Sequence, residues 1–153
     1  MPKVYRHDFQ VPPGAVDANG HVNNVEYVRW MQEAAVLHSE EAGCTRATKA
    51  EGATWVVRSH RIEYFRAAYA QDRVALLTWV TNFRRARSLR KYKFVRVDDN
   101  AVLAKGETDW VYVDSQTGRP RVIPNHIADL FDLVPEDQEA EGLEPPVAPG
   151  QRL

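Results

Sequence analysis

Asp17, Asn19 and His21 place a carboxylate, a carboxamide and an imidazole within five positions, in the run VDANGHVNNVEYVRW over residues 16–30. A carboxylate in such a setting can attack a carbonyl or activate a water for attack. Asn19 and His21 can orient that water or the carboxylate, and Gly20 between them permits a tight approach and an unusual φ. The run then changes into an amphipathic stretch that reads as a helix. The first amides of a helix have no intrahelical partners, and its dipole favours negative charge there. The backbone N–H of Asn24 is therefore a candidate donor to a developing oxyanion. A plainer reading stands beside this one: Asp17 and Asn19 as Asx-turn residues and His21 bonded to the loop backbone. Asn23, with Glu26 three residues on, is assigned to helix capping. A metal site is not expected, since Asn is a poor transition-metal ligand and no second His or Cys stands nearby at ligand spacing.

The elements that must position these residues are legible in outline. Residues 4–11 alternate weakly and read as a first strand, and 12–20 are loop, with two prolines and two glycines. Val28, Met31, Ala35 and His38 recur at helical spacing, with Tyr27, Ala34 and Ala42 beside them. Arg29, Gln32, Glu33 and Glu40 make the other face, and Gly43 is the natural stop. Everything after Gly43 reads as strand: 54–65, 73–83, 88–97 and 101–114, rich in β-branched and aromatic residues. Short links between successive strands imply antiparallel hairpins. Residues 123–131 form a candidate short helix. The expected fold is α+β, with one long central helix wrapped by a curved five-stranded antiparallel sheet. One helix cannot cover both faces of that sheet. An apolar outer face then calls for a partner, and a homodimer or homotetramer is expected. Residues 1–134 form one domain, and 135–153 read as an acidic, Pro-rich, disordered tail.

Composition excludes several classes. The chain has 153 residues and a formal net charge of −1, which gives no general attraction to nucleic acid or to a membrane surface. Its single cysteine, Cys44, rules out an intramolecular disulfide and fits a reducing, cytoplasmic setting. Neither a secretory signal nor a membrane-spanning apolar stretch is visible.

The string Asp17-Ala18-Asn19-Gly20-His21-Val22-Asn23-Asn24, followed by Tyr27 and by Arg29-Trp30, resembles the D-x-x-G-H-V-N-N-x-x-Y signature of hotdog-fold thioesterases. The similarity is to the 4-hydroxybenzoyl-CoA thioesterase-like branch and to the plant acyl-ACP thioesterases, over about residues 4–131. It implies hydrolysis of an acyl-CoA or acyl carrier protein thioester, with Asp17 as nucleophile or general base and no separate cofactor. The plant pattern D-x-N-x-H matches Asp17, Asn19 and His21. Its acid and cysteine after E-Y-x-R are replaced here by Ala67 and Ala68, so the resemblance implies the simpler Asp-centred chemistry.

The carrier would be held by the basic run RRARSLRK at 84–91, with Arg84, Arg85 and Arg87 as candidate CoA-phosphate ligands. The same run also reads as a solvated hairpin rim. Tyr27 is a candidate lining residue of an acyl tunnel, or else core. Two rivals remain. Hotdog hydratases and dehydratases carry D-x-N-P-x-H, whereas Gly20 and His21 follow Asn19 directly here. A non-catalytic acyl-CoA or carrier-binding module on the same fold would bind without turnover.

Overall fold

The computed structural model describes residues 4–139. Strand β1 (Tyr5–Gln10) leads through a single 3-10 turn at Pro13–Ala15 into helix α1 (Asn24–Ala42). A short helix α2 (Cys44–Ala50) follows, then strands β2 (Ala53–Tyr64), β3 (Arg73–Arg84), β4 (Arg87–Arg96) and β5 (Ala101–Asp114), and a last turn of helix α3 (Asn125–Ala128). The five strands form one antiparallel sheet in the order β1-β3-β4-β5-β2. The expected α+β architecture, a long helix against a five-stranded antiparallel sheet, is what forms.

Helix α1 begins where the Asn23 side chain accepts a hydrogen bond from the Val25 amide at 3.0 Å. It ends at Gly43, whose left-handed φ of 85° a β-carbon would disfavour. Its buried face comprises Tyr27, Trp30, Met31, Ala34, Ala35 and His38. Trp30 thus takes the core position that the spacing assigned to Val28. The reason is bulk: Trp30 packs on Phe9 and Tyr27, with ring centroids 4.6 and 5.6 Å away. Against this face lie Val74 and Leu76 of β3, Tyr92 and Phe94 of β4, and Ala104 of β5, which form the main core.

Three expectations are corrected. Residues after Gly43 do not pass straight into strand, because α2 intervenes. With Cys44 and Thr48 as its only buried positions, a seven-residue helix carries too little periodicity to be read. It is fastened to β2 by Trp55, whose indole N–H donates to the Thr48 hydroxyl at 3.1 Å. Only Asn125–Ala128 of the expected 123–131 helix is helical, although Ile123, Ile127 and Phe131 are all buried.

The outer face of the sheet is also not the open apolar surface expected. Leu77 and Trp79 are covered by Val134 and Val4 of the same chain. The Val134 amide donates to the Val80 carbonyl at 2.9 Å, so residues approaching the C-terminus continue alongside β3 beyond the end of β1. Elsewhere that face carries Lys91, Lys93, Lys105, Glu107, Arg61 and Glu63. The large exposed apolar side chains lie mostly elsewhere: Val25, Val36 and Leu37 on α1, and Tyr64, Phe65 and Tyr69 around the start of that helix.

Of the expected tail, residues 136–138 form one 3-10 turn, and Lys91 Nζ lies 2.7 Å from the Glu139 carboxylate and 3.7 Å from that of Glu136. Residues 140–153 lie outside the described residues. No helix among the described residues is long and apolar enough to cross a membrane.

Candidate active site

The chain between β1 and α1 folds into a closed loop. Val16 and Val22 pair as an antiparallel bridge, and the Asp17 amide donates to the His21 carbonyl at 2.8 Å. Inside this pinch the Gly20 amide donates to the Asp17 carbonyl at 3.0 Å, and Gly20 takes φ 80°. The loop is seated by two more bonds: Val22 N–H to Ala68 O at 2.9 Å and Asn23 N–H to Ala15 O at 2.9 Å. The second explains why the capping box is only half formed. The Asn23 N–H is already satisfied, and the Glu26 carboxylate lies instead 3.6 Å from the Arg29 guanidinium.

Asp17 is exposed on this loop. Its Oδ1 accepts from the backbone amides of Asn19 at 2.9 Å and His21 at 3.3 Å. Asn19 and His21 therefore hold the carboxylate through their backbones. Neither side chain hydrogen-bonds to Asp17 among the described residues. Asp17 Oδ2 likewise has no partner among them. The His21 ring stands edge-on to Tyr69, with centroids 5.4 Å apart.

Val22 joins the pinched loop to the cap, and Asn24 follows as the first residue of α1. The Asn24 amide has no acceptor among the described residues, as expected for a first-turn donor. Its carbonyl accepts from the Tyr64 hydroxyl at 3.3 Å, which ties the end of β2 to the helix start. Exposed Tyr64, Phe65, Tyr69 and Val25 make an apolar rim around this end of the molecule.

The remaining candidates fall elsewhere. Tyr27 is 3% exposed and packs edge-to-face on Tyr64 and Phe94, so within one chain it is a core residue. Burial pushes its hydroxyl up to about 12, and the neighbouring Tyr64 adds to the effect. Arg84, Arg85 and Arg87 are exposed on the β3–β4 hairpin, Arg85 with φ 55°. Arg87 makes two hydrogen bonds to the Asp109 carboxylate. No acid pairs with Arg84 or Arg85 among the described residues. The Asp17 loop adjoins the Arg73 end of β3, since Val11 N–H donates to Asp72 O at 2.8 Å. The arginines lie at the other end, about 35 Å away along the strand at roughly 3.3 Å per residue. One chain does not bring them together. Nor does any group of three or more His, Cys, Asp or Glu among the described residues make a metal site.

The sequence reading missed a second polar centre. Arg90 of β4 is only 5% exposed and donates through Nη1 to His38 Nδ1 at 2.9 Å and to the Thr78 hydroxyl at 3.1 Å. The signal was present: Arg90, Tyr92 and Phe94 alternate in phase, which places all three on the covered face.

An α+β domain in which a five-stranded antiparallel sheet wraps one long helix, with a polar loop at the helix start, defines the hotdog class. Residues 11–131 match the Thioesterase-like superfamily, and the chain belongs to that family. It is 28% identical over 129 residues to the acyl-CoA thioester hydrolase YbgC of Escherichia coli, covering 84% of this chain and 96% of that protein. The probable thioesterase YbaW of Escherichia coli superposes with a TM-score of 0.76 at 18% identity, covering 82% of this chain and 94% of that one. A 4-hydroxybenzoyl-CoA thioesterase bound to 4-hydroxybenzoyl-CoA superposes with a TM-score of 0.75 at 16% identity, covering 85% of this chain and 99% of that one. Both structural likenesses bear on the fold.

Proposed function

We propose that the protein hydrolyses acyl thioesters of coenzyme A or of a carrier protein, with Asp17 as the catalytic carboxylate. One observation carries this reading: an exposed carboxylate with one oxygen held by two amides and the other without a partner among the described residues, on the loop that delivers the open amide of Asn24. The YbgC likeness and the family membership support the substrate class.

In this scheme Asp17 Oδ2 takes a proton from a water, and the water oxygen attacks the thioester carbonyl carbon. The carbonyl oxygen becomes an oxyanion facing the Asn24 amide, where the dipole of α1 favours it. The C–S bond then breaks, the proton on Asp17 passes to the sulfur, and free acid and thiol leave. Direct attack by Oδ2 is the nucleophilic variant of the same arrangement, with water cleaving the resulting anhydride. Asn19 and His21 serve chiefly by fixing Asp17 through their amides.

Coenzyme A phosphates are to be held by Arg84 and Arg85, with Arg87 braced by Asp109. Because one chain separates these from Asp17, the complete site is built between protomers of a homodimer or homotetramer. The exposed apolar residues of α1 and the edge of β2, which pairs with no further strand among the described residues, are the surfaces available for that assembly. Thiol release from a panel of straight-chain and aromatic acyl-CoAs, by wild type and Asp17→Asn, tests the reading. No enoyl absorbance change should accompany it, which separates hydrolysis from hydration.

A further inference from the structure

A cavity of about 430 Å³ opens between the C-terminal half of α1, helix α2 and the sheet. That volume suits a small organic ligand. Its walls include Trp55, Phe83, Trp110 and Phe131, and no acid is among the lining residues. Arg90 lines it too. The guanidinium is fixed by His38 and Thr78 through Nη1, and by the Phe131 ring, whose centroid lies 5.8 Å from its central carbon.

None of these partners carries negative charge. His38 has its imidazole pushed down to about 3, by burial first and by Arg90 second, so it is a neutral acceptor at Nδ1. An arginine cannot escape its charge by losing a proton. Among the described residues this buried cation has no counter-ion, an arrangement that is costly unless something else offsets it. The Nε and Nη2 donors have no acceptor among the described residues. Side by side, they form the edge of the guanidinium that matches a carboxylate with two parallel hydrogen bonds.

We propose that this cavity binds an organic carboxylate, its two oxygens on Arg90 and its apolar body against Trp55, Trp110 and Phe83. The site is separate from the Asp17 loop within one chain: Ala35, on its wall, is about 17 Å along α1 from Asn24 at ~1.5 Å per residue. It does not rest on the hydrolase reading. The carboxylate can come from a free acid or from the far end of an acyl group that is itself a thioester.

The test is a titration with octanoate and with octan-1-ol, followed by the fluorescence of the wall tryptophans and by calorimetry. Octanoate should bind at least about tenfold more tightly than the alcohol, as expected for a charge-assisted pair. Arg90→Met should erase the difference. Ser39→Phe, which puts a ring into the cavity while keeping Arg90, should weaken both ligands. Should Arg90→Met fail to fold, the acid–alcohol ratio in wild type and the Ser39→Phe loss still decide. Equal affinity for acid and alcohol, or octanoate binding unchanged by Ser39→Phe, would overturn the proposal. Displacement of octanoate in the Asp17→Asn variant tells the two sources apart. If suberyl-CoA, with its free terminal carboxylate, competes better than octanoyl-CoA, the acyl terminus is the ligand. If neither competes, the ligand is a free acid.

Discussion

Under the proposed mechanism Asp17 has two separable jobs on this loop. Its Oδ1 terminates the amides of Asn19 and His21, which is the work of an Asx turn. Its negative charge and Oδ2 are surplus to that work. Gly20 supports both by holding φ 80° without steric contact at the β-carbon position. Gly20→Ala should therefore cost about 1 kcal/mol through backbone strain alone, read as a lowered urea midpoint, and should slow hydrolysis by misplacing Asp17.

His38 makes a different kind of prediction. Its folded pKa, near 3, lies below the ordinary value of 6.5, so the unfolded chain binds the extra proton first. The associated stability is present above pH 6.5 and is lost as the pH falls toward 3, at up to about 1.4 kcal/mol per pH unit. His38→Gln, which keeps an acceptor for Arg90, should flatten the pH dependence of the urea midpoint in that window. An unchanged slope would contradict the assignment. At this scale the sequence revealed which residue types stood before the helix. It did not show that backbone amides would hold Asp17, because that depends on the Val16–Val22 pinch and on Ala68, a contact from far along the chain.

Helix α1 was readable because its signals agree: an Asn cap, a Gly stop and a long apolar stripe. Asn23→Ala should lower stability by about 1 kcal/mol, measured by thermal or urea unfolding. Since the Asn23 backbone bond to Ala15 persists, the loop should keep its path. The strands were readable by alternation and by short turns. Helix α2 was not, being too short for a period to declare itself. The pairing of β2 with β5 was hidden as well, because β2 and β3 are neighbours in sequence but not in the sheet. Such non-local choices depend on which apolar faces meet, and local propensity carries little of that information. Arg90 was read as part of a basic hairpin rim, although its strand phase places it under the helix.

For the molecule as a whole, the main correction concerns what lies on each face. Leu77 and Trp79 on the outer sheet face are covered by the chain's own Val4 and Val134, and much of the remainder is charged, with Val56 of β2 left exposed. The proposed assembly would use the exposed apolar side chains of α1 and the edge of β2, and would bridge the separation of Asp17 from Arg84 and Arg85. That separation predicts complementation. Asp17→Asn and the double variant Arg84→Ala, Arg85→Ala should each be impaired alone. Unfolded together and refolded as a mixture, they should recover part of the wild-type rate, because mixed assemblies regain an intact site. A mixture no better than the average of its parents would place each site within one chain.

Hydrolysis of acyl-CoA by Asp17→Asn is the sharpest test of the proposed role of Asp17, since the Asn side-chain oxygen still accepts both loop amides and only the charge is removed. The predicted result is a fall in kcat/KM of about 10² or more, with the unfolding midpoint unchanged. Turnover close to wild type in that folded variant would contradict the claim that Asp17 does the chemistry, and would leave it as a turn residue alone.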